Sequence, residues 1–190
     1  MNREIYGAHP RLRLRRALIQ TATEVRFDAI TVQQVLDRAD VSRGTFYAHY
    51  RNLDDLFLGC LQDLTDYLLG EWRKALLRRI THHGELGFMR PMLAHVISHR
   101  WLWDALRGTR AEAILLERLD WLLRRWVSQD MRRLGRPVHG VELATLVGGL
   151  KSLVVFAGIG PEPVELSDAV RVVQGLARQF GGPWMPAVPK

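Results

Sequence analysis

Residues 31–50 read TVQQVLDRADVSRGTFYAHY. Two short helices and the turn between them are written into this string. Thr31, followed three residues later by Gln34, makes a capping box in which each side chain satisfies an exposed backbone N–H of the other. The helix then runs to about Arg38. Asp40 stands in the turn, and Asp tolerates the left-handed conformation better than most residues. Ser42 caps the next helix, roughly Arg43 to His49. Val35, Leu36, Ala39, Val41 and Phe46 supply a wedge of small and apolar side chains that holds two helices at a steep angle. This is the helix-turn-helix layout. Ser42, Arg43, Thr45, Tyr47 and His49 then face outward, and hydroxyls, imidazole and guanidinium on one face suit phosphate oxygens and base edges. Any two short capped helices share the layout, so spacing alone leaves DNA binding open.

Working outward, the spacing predicts a helix from about Arg11 to Val25, with Pro10 near its start and Leu14, Leu18, Ala22 and Val25 as its apolar face. Downstream, Asn52 caps a long helix whose first turn carries Asp54 and Asp55, where the helix dipole favours acids. Leu56, Cys60, Leu64, Leu68 and Trp72 keep helical spacing to about Arg79, and Thr81-His82-His83-Gly84 breaks it. Further helices are expected at about Phe88–His99, Trp101–Arg107 with Gly108 as a stop, and Arg110–Leu134 ended by Gly135 and Pro137. A strongly apolar helix covers about Val141–Ala157, and a last one starts after Ser167 and ends before Gly181. Only one proline, Pro91, falls between Arg11 and Arg136. The expected fold is all-α with about nine helices. A helix-turn-helix head spans 1–52, a helical domain 53–182 and a proline-rich tail 183–190.

Composition narrows the partners. The chain has 190 residues, 27 basic and 20 acidic, for a formal net charge of +7. A polyanion is the natural partner of such a chain, nucleic acid first and an anionic membrane surface second. Residues 1–53 carry nine Arg against five acids, so positive charge is densest at the head. Arg3, Arg11, Arg13, Arg15 and Arg16 form an Arg-rich arm that can reach the minor groove or phosphates, or simply be a solvated tail. One cysteine, Cys60, excludes an internal disulfide and a multi-cysteine zinc finger. No secretory signal and no transmembrane helix are expected, and a cytoplasmic location is.

The string FDAITVQQVLDRADVSRGTFYAHYRNLDDL, Phe27 to Leu56, resembles the DNA-binding signature of TetR-family bacterial transcriptional regulators. The "ITV" that opens the second helix, the "A-x-VS-x-GT-F-Y" across the turn and third helix, and the aromatic pair before a short polar turn carry the likeness, which covers about the first 55 residues. The resemblance implies that Thr31 and Gln33 contact phosphate or a base. It implies that Arg43, Gly44, Thr45 and Tyr47 enter the major groove, Gly44 permitting close backbone approach, with Ser42 beside them on the DNA-binding face. His49 and Tyr50 would touch phosphate, Tyr50 also sharing in the core. Two departures stand out: Asp40 where the family often has Gly, and Leu53 where it often has Lys. The second removes a phosphate contact that Arg51 can supply.

The same resemblance implies a ligand pocket among the middle helices and a dimer seam on the last two. All six Trp residues follow position 70. Candidate pocket residues are Cys60, Leu64, Met89, Met92, Val96, Trp103, Leu122 and Trp126, although Met and Trp at helical spacing also make ordinary core. Leu143, Val147, Leu150 and Val154 form one stripe, with Gly148-Gly149 allowing close approach; Val173, Leu176 and Phe180 form another. These stripes fit a homodimer seam or the chain's own core. His95 and His99 share a helix face and, with His82 and His83, invite a metal reading, but no acid or cysteine completes a set. Neither a phosphate loop nor a serine elbow occurs. No metal, cofactor or enzymatic activity is expected. The expected function is a dimeric transcriptional regulator, a repressor that binds a palindromic double-stranded operator and is released by a small-molecule effector. The alternative is a helix-turn-helix-derived adaptor that recruits another regulator.

Overall fold

The computed structural model describes residues 9–77 and 86–180. Among the described residues the regular structure is nine α-helices and one 3₁₀ turn, without a strand. They are α1 (Pro10–Thr21), α2 (Val32–Ala39), α3 (Arg43–Tyr47), α4 (Leu53–Leu77), α5 (Met89–Ser98), α6 (Arg100–Leu106), α7 (Arg110–Arg133), α8 (Gly140–Ile159) and α9 (Leu166–Gln179); the 3₁₀ turn is Phe27–Ala29. The all-α expectation holds. The expected break at Thr81–Gly84, His82 and His83, the stop at Gly181-Gly182, the tail with Trp184, and Arg3 of the arm lie outside the described residues.

The chain divides into two compact units, Met1–Asp66 with Trp101–Leu116, and Tyr67–Arg100 with Glu117–Lys190. The boundary read at residue 52 falls inside the first unit, because Leu53, Leu56 and Phe57 at the start of α4 are buried in the same core as Leu14, Val35 and Phe46. Leu106 and Ala111 join that core from far along the chain. α1 stops at Thr21 rather than Val25. The Thr21 hydroxyl donates back to the Ala17 carbonyl and the Thr23 hydroxyl to Gln20, local bonds that compete with helix continuation. The 3₁₀ turn that follows buries Phe27 against the Phe57 ring, centroids 5.2 Å apart.

In the second unit α5 packs on α8 and α9, and α8 on α9. Trp72, Phe88 and Trp126 meet in an aromatic cluster with centroids 5.4–6.1 Å apart. Asp130 is fully buried; it accepts the Leu86 N–H at 2.7 Å and pairs with Arg133 at 2.8 Å, which satisfies a carboxylate that burial would otherwise penalise. Arg100 donates to the carbonyls of Ala157, Gly160 and Glu162, closing the C-terminal end of α8, where helix carbonyls lack internal partners. α9 starts at Leu166, two residues earlier than the expected start after Ser167, and no side chain caps it.

The two stripes assigned to a seam are mostly used inside the unit. Val147, Leu150, Val154 and Val173 are buried, while Leu143, Leu176 and Phe180 are half-buried. A Cβ at Gly149 would sit 3.5 Å from Leu176, an ordinary van der Waals contact, so this packing does not require glycine. α8 is 20 residues long with a mean hydropathy of 1.6, enough by length and composition alone to cross a membrane, a test that a core helix also passes. Its ridge of Leu146, Val147, Leu150, Val154 and Ala157 instead packs within the unit.

Candidate nucleic-acid interface

The capped helices form as the sequence predicts. Thr31 and Gln34 close the capping box of α2, the Gln34 Oε1 accepting the Thr31 N–H at 2.8 Å. Asp40 adopts φ 51°, ψ 55°, a left-handed conformation rare for a residue with a side chain. Arg13 of α1 donates to both the Asp40 carbonyl and its carboxylate, the latter at 2.9 Å, and so ties the turn to the first helix. The Ser42 Oγ accepts the Thr45 N–H at 3.1 Å and caps α3. The Asn52 side chain accepts the Asp55 N–H at 2.9 Å, and Asp55 in turn accepts from the Arg51 backbone N–H at 3.0 Å. That backbone bond, with the Arg51 side chain behind it, holds the Asp55 carboxyl below its ordinary range.

This framework leaves one face outward. Thr31, Gln33, Ser42, Arg43, Gly44, Tyr47 and Arg51 are exposed, and Thr45 and His49 are half-buried. The Tyr47 ring is 53% exposed, unusual for so large an apolar group, and stands edge-on to the buried Phe46 ring. A Cβ at Gly44 would meet only the Ser42 Oγ, at 3.8 Å. Nothing within the head requires glycine at this helical position, where it costs about 1 kcal/mol relative to alanine.

Tyr50 differs from the rest of the expected set. It is 6% exposed, and its hydroxyl accepts from the Arg15 Nε at 2.7 Å. Burial pushes its phenol up from the ordinary value, with Arg15 acting against that. Arg15 also pairs with Asp63 of α4 and lies over Gly59, where a Cβ would approach it to 2.9 Å. Tyr50 therefore serves as a core residue that pins the segment after α3, the share in the core that was expected of it. The Arg-rich arm is corrected: Arg11, Arg13, Arg15 and Arg16 lie on α1, because Pro10 starts the helix before them. Arg13 and Arg15 are engaged inside the head, whereas Arg11 and Arg16 are exposed. Leu53, in place of the expected lysine, is 5% exposed and packs into the head core.

One network was missed in the sequence. Gln33 Nε2 donates to Asp37 Oδ1 at 2.7 Å, and Arg43 Nη2 donates to Gln33 Oε1 at 3.1 Å. Its first half was legible, since Gln33 and Asp37 are four apart on α2; its second half crosses from α2 to α3.

The candidate pocket residues divide between the units. Met89, Met92, Val96, Leu122 and Trp126 are buried in the second, Trp126 against Trp72 and Phe88; Cys60, Leu64 and Trp103 belong to the first. Cys60 is half-buried, and desolvation pushes its thiol up to about 12, which leaves it an inert packing group. His95 and His99 stack at 4.2 Å, and no group of three or more metal-ligating side chains exists among the described residues.

A capped pair of short helices with an outward polar face and a three-helix core defines the class: a helix-turn-helix DNA-binding protein. Residues 17–60 match the model of bacterial regulatory proteins of the tetR family. No curated protein matches the chain. The fold is similar to that of a TetR transcriptional regulator from Streptococcus agalactiae 2603V, with 19% identity, 88% of this chain and 93% of that one covered, and a TM-score of 0.65. It is also similar to Lin0861 from Listeria innocua, with 15% identity, 94% of each chain covered and a TM-score of 0.62. A Pseudomonas aeruginosa PAO1 structure gives 18% identity, 94% and 95% coverage and a TM-score of 0.61. At these identities the likeness is one of fold.

Proposed function

We propose that the chain is a homodimeric repressor that binds a palindromic operator in the cytoplasm and is released by a small molecule. The exposed face of α3 carries this reading. Arg43, Gly44, Thr45 and Tyr47 project from a helix that is capped at Ser42 and backed by the buried Phe46. A rigid short helix with its base-reading side chains outward fits the major groove, and the half-site partner would lie roughly 34–36 Å away or slightly more.

The dimer seam we propose differs from the stripes read in the sequence. α8 is apolar on both sides, so after one ridge is buried a second remains. Val141 is 82% exposed and Phe156 47%, and Thr145, Gly148 and Ser152 lie between them on one helical face. Val172 on α9 is 49% exposed. An apolar ridge of this kind, rimmed by small residues, supports an isologous contact with a second copy. For the effector, the aromatic cluster of the second unit offers a specific handle. Trp72 Nε1 is buried without an acceptor, and an effector oxygen there would satisfy an N–H that is otherwise costly to bury.

The test is selection by the purified full chain from fragmented DNA of its source, followed by footprinting. The expected result is a protected palindrome beside a gene. Failure to protect any duplex, with capture of a second regulator instead, is the outcome that fits the adaptor alternative and sinks the repressor.

A further inference from the structure

The chain Asp37–Gln33–Arg43 lies entirely on the outward face of the head, and its chemistry has a direction. An ionised carboxylate only accepts hydrogen bonds. Asp37, four residues after Gln33 on α2, therefore draws the amide N–H₂ of Gln33 toward itself, at 2.7 Å. This fixes which end of the amide faces α3: the Gln33 carbonyl oxygen, which accepts from Arg43 Nη2 at 3.1 Å. Arg43 is the first residue of α3 after its Ser42 cap. A flexible guanidinium at an exposed helix start is thus held from α2 by one of its five N–H groups, and the parallel donors of the fork stay available.

We propose that Arg43 is the guanine-reading residue of each half-site and that Asp37, through Gln33, is the residue that positions it. A planar fork of two parallel donors matches O6 and N7 of guanine in the major groove, the pairing that arginine makes best. Adenine offers N7 beside an N–H₂ donor and repels one arm of the fork. Holding the guanidinium in advance lowers the side-chain entropy lost on binding. Asp37 adds a negative charge to a face that meets phosphate, which weakens binding to all DNA alike. An acid at such a place is a liability unless it acts through orientation. The assignment rests on the operator-binding reading above.

The experiment selects duplexes from a randomised pool with the full chain at one fixed salt concentration. The best duplex is then titrated alongside copies in which single guanines are replaced by 7-deazaguanine, which keeps Watson–Crick pairing and removes only N7. The wild type should lose about ten- to hundredfold in affinity at one guanine per half-site. Arg43→Ala, which removes every donor of the side chain, should bind both versions alike. Asp37→Ala should bind a scrambled duplex as tightly as the wild type or more tightly, yet lose most of its preference for guanine over 7-deazaguanine. All three side chains are exposed, so matched thermal unfolding curves serve as the folding control. A wild type indifferent to every 7-deazaguanine substitution overturns the assignment of Arg43. Full discrimination by Asp37→Ala overturns the positioning role. A pool with no enriched duplex overturns DNA reading itself, a failure distinct from the other two.

Discussion

His95 shows how a single side chain is set by its surroundings. It sits half-buried on α5, stacked on His99 at 4.2 Å, with the Tyr67 ring 6.4 Å away. Desolvation first, and His99 second, push its imidazole down to about 4. The sign of the consequence follows from proton counting. An unfolded histidine titrates near 6.5, so below that pH the unfolded chain takes up a proton that the native His95 refuses. Stability carried by His95 is present above about pH 6.5 and is lost as pH falls toward 4. Urea unfolding of His95→Gln across this window should show a shallower loss of stability than the wild type; parallel pH profiles would remove His95 from the account. The i, i+4 pair was visible in the sequence. Its burial was not, because α5 is apolar on more than one side and spacing does not say which side meets α8 and α9.

At the scale of elements, the head was the most legible part of the chain, and for a local reason. Capping box, Ser42 cap, Asn52 cap and left-handed Asp40 each depend on residues at most four apart, so their spacing can be read directly. What joins the elements was not legible. Arg13 reaches Asp40 across 27 positions and Arg15 reaches Asp63 across 48; neither contact leaves a periodic signal, and both arginines read as part of a basic arm. Asp40 offers a clean check on the turn. Asp40→Ala keeps a Cβ in the left-handed region, which costs roughly 1–2 kcal/mol there, and discards the Arg13 ion pair. Asp40→Gly discards the same pair and relieves the backbone. Chemical denaturation should find the alanine variant the less stable of the two by about 1 kcal/mol. Equal stabilities would mean that the turn does not hold Asp40 as described.

For the whole molecule, the sequence predicted an all-α chain and apolar stripes on the last two helices, and Val147, Leu150, Val154 and Val173 of those stripes are buried within the unit. On α8 the outer face is marked only by the small residues Thr145, Gly148 and Ser152, too weak a polar stripe for spacing alone to separate it from the inner face. Only packing shows that Val147, Leu150 and Val154 turn inward and that Val141 and Phe156 turn out. The first unit was equally hidden, since residues 101–116 join a segment that ends at Asp66, with residues 67–100 in between. Phe156→Glu places a charge on the exposed ridge without touching the internal core. Sedimentation should find the wild type dimeric and this variant largely monomeric, with helical content unchanged. A monomeric wild type, or a variant that stays dimeric, would move the seam elsewhere.

Base reading by α3 is the step on which the proposed function depends most. The most direct test titrates wild type and Tyr47→Ala against the selected duplex and a scrambled one at a single salt concentration, since affinities at different salt cannot be compared. The side chain is exposed and edge-on to Phe46, so its removal leaves the head core in place. The predicted result is a loss of about tenfold or more on the selected duplex, with the scrambled duplex bound about as before. Equal losses on both duplexes, or no loss on either, would contradict it.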